Sequence, residues 1–341
     1  MKSQKRITSF YVLMTLICAR LVAQDVHFTQ YYASPLTQNP ANTGWYEGDC
    51  RISANYRNQW KAIAGKPYST FGVAFDKPYY FFSEKFSYGV QFINDKSGTV
   101  GLSVNKIYAS LAYYKKIAGH EFQIAIQPGY VNKSTNMDEY TFDGQFTLGG
   151  EEVFGGEFSG EGSAEGINYF DLNAGLLWSN QLTEKIRTTV GMSLFHLTTP
   201  NESFFGTKSD VTQLAIRKVI HANASFKLGK SLRLVPNTMY MAQRKATEWL
   251  IGANLEVDLN PKTIKTVYFG TIFRYGWKEN FDASAWIVGA RIKQFDLGLS
   301  YDFNVSSLAV ATNNRGALEL SLSYICKSTQ PVSIKIPCDR Y

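Results

Sequence analysis

The sequence predicts an all-β fold: a transmembrane antiparallel β-barrel of about 14 strands, preceded by an N-terminal periplasmic or lumenal arm. Three observations predict it. From about residue 50 onward, segments of roughly ten residues alternate apolar with polar or small side chains. Near residue 250, Trp249, Ile251, Ala253, Leu255 and Val257 fall on one side and Glu248, Gly252, Asn254 and Glu256 on the other. Strand side chains alternate faces, so each segment has one greasy and one wet face. A soluble sandwich buries its greasy face against a second sheet, whereas a membrane barrel turns that face to lipid. The second observation is an export signal ahead of the train. The third is the alternation of short and long connections between segments.

The export signal occupies residues 1–23. Lys2, Lys5 and Arg6 form a positive start, Phe10 to Cys18 is mostly apolar, and Leu21-Val22-Ala23 offers a cleavage site before Gln24. The apolar run is too short to span a bilayer as a helix. Cys18 does not read as a lipidation site, because Ile17 before it is bulkier than lipoprotein processing accepts. Without residues 1–23, 31 basic residues stand against 28 acidic ones, and the net charge falls from +7 to +3. The basic balance therefore gives no case for nucleic acid. Aromatics make up 15% of the chain, which suits the interfacial girdles of a barrel.

Residues 24–49 are not strand-like. They are rich in aromatics and amides and broken by Pro35 and Pro40. Phe28, Tyr31, Tyr32, Trp45 and Tyr46 would each gain about 1.5–3 kcal/mol on burial. An ordered arm over 25–45 is expected, packed on the inner wall or at the periplasmic mouth, with Pro35 and Pro40 fixing turns. Arg57, Gln59 and Gln91 are its expected hydrogen-bond partners on the lumen side.

Strands are expected over 50–60, 68–77, 86–97, 100–116, 119–133, 167–180, 184–197, 213–229, 231–243, 246–258, 263–275, 281–293, 294–303 and 315–327. The barrel thus spans 50–327, and 328–341 form a C-terminal periplasmic tail. The number is even, as both termini in the periplasm require. Even-numbered gaps are then periplasmic turns, and all are tight except the first, Pro78–Lys85. The three longest gaps, 134–166, 198–212 and 304–314, are all odd and so lie outside. Short turns against long outer loops are the expected barrel asymmetry.

From Gly144 to Gly166 the 134–166 loop carries eight glycines and five glutamates, Glu151, Glu152, Glu157, Glu161 and Glu165, with Phe142, Phe146, Phe154 and Phe158 interleaved. Its carboxylates lack the D-x-[DN]-x-[DN]-G order of a calcium loop, so it reads as a solvated acidic loop. Its phenylalanines suggest docking to a partner or folding into the lumen. Cys50, Cys326 and Cys338 survive processing. Cys50 opens the first strand and Cys326 closes the last, so they are neighbours in a closed barrel; the other option pairs Cys326 with Cys338. His27, His120, His196 and His221 are scattered, with no metal-ligand spacing. No G-x-S-x-G elbow occurs, and Gly160-Glu161-Gly162-Ser163 is loop composition. Neither an enzyme nor a cofactor is expected.

Certain residues carry a family resemblance. The mature start holds His27-Phe28-Thr29-Gln30-Tyr31, Ser34-Pro35-Leu36, Asn39-Pro40-Ala41 and Thr43-Gly44. Tyr56-Arg57-Asn58-Gln59-Trp60 follows, then Pro67-Tyr68-Ser69-Thr70, and near the end Gly316 to Tyr324 and Ile336-Pro337-Cys338. Together these resemble the PorP/SprF family of Bacteroidota over nearly the whole mature chain. The resemblance implies a non-enzymatic outer-membrane component of the type IX secretion system or its gliding-motility offshoot, with a barrel of the fatty-acid-transporter type. It implies help in export or surface anchoring of a large adhesin-like protein, and possible work with a periplasmic peptidoglycan-binding partner. Candidate plug or partner contacts are His27, Phe28, Gln30, Tyr31, Pro35, Asn39, Pro40, Arg57 and Trp60. Candidate surface-loop contacts are Phe146, Phe154 and Phe158. The competing class is an outer-membrane pore or transporter for a small hydrophobic or polar solute, which a barrel of this size could house if no plug fills it.

Overall fold

The computed structural model of the chain describes residues 25, 27–59, 67–82, 84–97, 101–135, 166–204, 212–259, 263–276, 281–306 and 309–328. Fourteen antiparallel strands close into a barrel in which every strand pairs with its neighbours in the chain. They are β1 Arg51–Gln59, β2 Tyr68–Phe81, β3 Glu84–Ser97, β4 Leu102–Ile117, β5 His120–Ser134, β6 Ile167–Thr183 and β7 Ile186–Phe195. The second half is β8 Arg217–Lys227, β9 Leu232–Gln243, β10 Ala246–Asp258, β11 Ile264–Gly276, β12 Phe281–Ile292, β13 Phe295–Asn304 and β14 Arg315–Ile325. β1 closes on β14 in unbroken register, from Arg51 opposite Ile325 to Gln59 opposite Ala317. Closure leaves no unpaired sheet edge, which is the condition for strands to cross a bilayer.

Burial follows the two-residue period. On β5, Phe122, Ile124 and Ile126 are exposed outward, while Gln123, Ala125 and Gln127 are buried inward. Trp286, Val288, Leu297, Leu299, Leu318, Leu320 and Leu322 continue the outward apolar belt across β12, β13 and β14. Apolar out and polar in is the membrane-barrel arrangement.

One end of the barrel carries the connections 82–83, 118–119, 184–185, 228–231, 259–263 and 293–294. The other carries 60–67, 98–101, 135–166, 196–216, 244–245, 277–280 and 305–314. These are termed the turn end and the loop end. The first even gap is tight like the rest, because β2 runs to Phe81. Pro78 does not stop it: β1 pairs with β2 only as far as Asp76, so at Pro78 the β1 side asks for no N–H. Pro128 and Pro236 use the same device, since each sits where one of its two ladders skips. Left-handed residues at Phe82, Ala118, Gly119 and Lys293 shape several of these two-residue turns.

β7 ends at Phe195, two residues before the sequence-expected limit. His196 takes a left-handed conformation and turns into the lumen. Cys50 and Cys326 are disulfide-bonded across the β1–β14 seam, so of the two pairings open from sequence the seam is used. Cys338 lies outside the described residues.

Candidate functional site

The lumen is occupied by residues 25 and 27–46. Three short helical pieces order this arm: a 3-10 turn at Tyr31–Ala33, the helix α1 at Pro35–Gln38, and a second 3-10 turn at Pro40–Asn42. Pro35 and Pro40 each stand in the first turn of their helical piece, where a missing N–H costs nothing. Phe28, Gln30, Tyr31, Leu36, Asn39 and Ala41 are buried. The arm starts near the loop end and descends to the turn end, where it becomes β1.

The topmost anchor is Asp25. Lys106 of β4 pairs with it, His196 Nε2 lies 3.1 Å from Oδ2, and Arg217 Nη1 lies 3.5 Å from the same oxygen. His196 Nδ1 faces Asp171 Oδ2 at 2.7 Å, and the Tyr108 hydroxyl donates to that carboxylate. Burial alone would raise the Asp25 pKa, but Lys106, Arg217 and His196 hold it well below the carboxylate range. Burial alone would lower the His196 pKa, but Asp171 and Asp25 raise it above its ordinary value. The imidazolium can donate one N–H to each carboxylate.

The second anchor centres on Arg57. The backbone N–H groups of Thr29 and Gln30 donate to the two oxygens of Glu319, each at 2.8 Å. Arg57 reaches Glu319 at 3.0 Å and Asp302 at 2.9 Å, and also donates to the Thr29 hydroxyl. The Thr29 hydroxyl in turn donates to Asp302 at 2.9 Å. Gln30 is held by Ser300 and Ser321. His27 faces Glu248 at 3.0 Å. A buried carboxylate is tolerated when its charge and lone pairs are matched in this way.

Between these polar anchors lies an apolar contact. Tyr31 belongs to one buried apolar cluster with Val219, Met239, Met241, Leu250, Ile272 and Ile287, and its hydroxyl donates to Asn237. These are inward-facing positions, so the lumen wall is not uniformly wet. Phe28 lies over Gly72, where an added Cβ would come within 3.3 Å of the ring.

Further down, Gln91 donates to the Thr37 hydroxyl at 2.6 Å, and Asn39 donates to the carbonyl of Leu176. Asn39 Oδ1 caps Ala41 N–H. Wall glycines make room for this asparagine. A Cβ at Gly175 would sit 2.0 Å from Asn39 Oδ1, and one at Gly191 would sit 2.7 Å from Nδ2 and 2.2 Å from His221 Nε2. Gln123 donates to the carbonyls of Ala41 and Thr43. The lowest anchor is Asp76, which accepts from Gly44 N–H and from two nitrogens of Arg51. Gly44 is left-handed, at φ +68°, and a Cβ there would meet Ser87 at 2.1 Å.

The structure therefore gathers His27, Phe28, Gln30, Tyr31, Pro35, Asn39, Pro40 and Arg57 in one lumen. Gln59 touches Arg57, at 3.4 Å, and is one step removed from the arm. Trp60, Phe146, Phe154 and Phe158 lie outside the described residues. Sequence reading missed the wall partners Glu319, Asp302, Asp76, Asp171, Lys106 and Arg217. The available signal was a charged residue at an inward strand position, which costs free energy unless something pairs with it.

Three voids inside the lumen measure about 10, 10 and 20 Å³, room for about a water molecule each. A cavity of about 580 Å³ opens at the turn end. Among the described residues, no group of three His, Cys, Asp or Glu side chains converges as a metal site. No helix among them is long and apolar enough to cross a membrane, which says nothing of strands.

A family described as "Type IX secretion system membrane protein PorP/SprF" matches residues 21–324. No curated protein matches the chain by sequence. Among solved structures it is similar to the TodX deltaS2S3 mutant monoaromatic hydrocarbon channel, at 9% identity over 85% of this chain and 93% of that one, with a TM-score of 0.52. The Pseudomonas putida toluene transporter TodX gives 9% identity, 85% and 92% coverage and a TM-score of 0.48. A Pseudomonas aeruginosa FadL homologue gives 9%, 84%, 92% and 0.48. At such identities the likeness is one of barrel fold.

Proposed function

The chain belongs to the PorP/SprF family of type IX secretion system membrane proteins, and on that premise we propose that it is a plugged, non-enzymatic outer-membrane barrel of this machinery. It is exported by a signal peptide cleaved after Ala23. Its turn end and the 328–341 tail face the periplasm, and its loop end faces outward. It assists export or surface anchoring of a large adhesin-like protein, as in gliding motility. Phe146, Phe154 and Phe158 contact that partner, and a periplasmic peptidoglycan-binding protein is a possible second partner.

The observation that carries this reading is the arm. It runs from the loop end to the turn end and is held at three points by carboxylates, on Asp25, Glu319 and Asp76. A lumen built this way favours a rigid scaffold over a passage. The competing pore reading needs the arm to leave, and its likeness to hydrocarbon channels rests on barrel architecture alone. Deleting the gene and quantifying type IX cargo on the cell surface tests the role. Loss of at least one large surface protein is expected. Unchanged surface cargo and filaments would overturn the role.

A further inference from the structure

We propose that the turn-end cavity is a docking site for an acidic, aromatic-bearing segment of a periplasmic protein. The proposal rests on the reading that the turn end faces the periplasm. The cavity measures about 580 Å³, within the usual range of binding pockets. Trp45 and Tyr46 of the arm form one side, and Tyr80 and Tyr114 of the wall the other. Trp45 and Tyr114 touch at 5.8 Å between ring centres. Trp, Tyr and Arg are the side chains that dominate protein interfaces.

The charges indicate the sign of the occupant. Four cations and three carboxylates line the cavity. Two of the carboxylates are already matched: Glu84 by Lys115 and the Tyr113 hydroxyl, and Glu121 by Arg187 at 2.6 Å. Lys116 reaches Glu121 only at 3.7 Å and is more than half exposed. Lys85 Nζ lies 5.1 Å from the Tyr114 ring centre and has no ion-pair partner among the described residues. Lys85 and Lys116 thus present positive charge beside aromatic faces. The third carboxylate, Glu47, is exposed at the rim and can accept a backbone N–H from an extended segment. On the opposite wall of the same mouth the described cations are matched: Arg291 grips Glu256 and Asp296, and Arg233 pairs with Asp258. Most of the lining, Trp45 and Tyr46 of the arm and the inward positions Tyr80, Lys85, Tyr114, Lys116, Glu121 and Arg187, lies on the lumen side of the wall, which favours a soluble partner over a membrane headgroup.

The test uses the detergent-purified mature chain and two fluorescein-labelled octapeptides, one alternating Asp with Phe and the other Lys with Phe. Fluorescence anisotropy is expected to show saturable binding of the acidic peptide, at least tenfold tighter than the basic one. Lys85→Glu should weaken it at least tenfold, while Lys218→Glu, exposed on β8 near the loop end, should not. Should Lys85→Glu fail to fold, judged by heat-modifiable gel mobility, Lys116→Glu carries the same expectation. Equal binding of both peptides, no saturable binding, or unchanged affinity in the variants would overturn the site. Displacement of the acidic peptide by phosphatidylglycerol vesicles would overturn it too, by assigning the charge to lipid. Failure here leaves the secretion role standing, and normal cargo in the deletion strain would leave the docking site standing.

Discussion

Replacing Arg57 by Ala should release the upper half of the arm. The Arg57 side chain is 5% exposed, and its partners Asp302 and Glu319 are 1% and 0% exposed. Without the guanidinium, Glu319 keeps only hydrogen bonds from the arm, chiefly the N–H groups of Thr29 and Gln30. Asp302 keeps Arg274, at 3.3 Å, and the Thr29 hydroxyl. One uncompensated charge is left buried, and breaking a buried pair in this way costs about 3–5 kcal/mol. Thr29 and Gln30 are bound by these same carboxylates, so the cost falls on arm docking. At about 1.4 kcal/mol per tenfold, opening becomes roughly a hundredfold to a few thousandfold more frequent. Hydrogen exchange with mass spectrometry on peptides spanning 27–43 reads this directly, with β5 peptides as the barrel control. Arg57→Lys should fall between wild type and Ala, since it keeps the charge and loses the fork. Adding Glu319→Gln to Arg57→Ala should recover part of the protection, because it removes the orphaned charge. Arm exchange within threefold of wild type in Arg57→Ala would refute the reasoning.

Gly191→Val should disrupt the Asn39 anchor, at about 1–3 kcal/mol for overpacking, read as faster exchange at 38–43 with barrel strands unchanged. Non-reducing peptide mapping should recover a Cys50–Cys326 linked peptide; a Cys326–Cys338 peptide in its place would contradict the seam closure. The His196 imidazole should titrate above its ordinary value of 6.5, by NMR, because Asp171 and Asp25 favour its charged form. A folded pKa above the unfolded one stabilises the Asp25 anchor fully below about pH 6.5, and that contribution fades as pH rises through the folded value. A value at or below 6.5 would contradict the arrangement.

The fourteen strands were legible because outward positions such as Phe122, Ile124 and Ile126 keep a strict two-residue period. Pro78 misled the reading of the first turn: its fit depends on the β1–β2 ladder ending at the Arg51–Asp76 pair, which only pairing reveals. Leu250, Ile272 and Ile287 broke the alternation as inward apolar residues, and their reason is Tyr31, more than 180 residues away in sequence. The lumen side was partly legible. Arg57 and Gln91 could be named as arm partners from their inward strand positions. Their complements could not: Glu319 is 262 residues from Arg57, and closure of β1 on β14 alone puts them side by side. Gly175 and Gly191 looked like ordinary strand glycines, since the asparagine they accommodate belongs to the arm.

Planar-bilayer conductance of the purified protein, intact and with residues 27–43 deleted, tests most directly whether this barrel is a closed scaffold. The intact chain should give no steady large channels, because the arm is buried in the lumen and the voids beside it at Tyr31, Glu248 and Lys106 measure about 10–20 Å³. The deleted form, if it folds by heat-modifiable mobility, should conduct steadily, since a barrel of this strand number is wide enough for an aqueous path once its plug is gone. Steady large conductance from the intact chain, indistinguishable from the deleted form, would contradict the account.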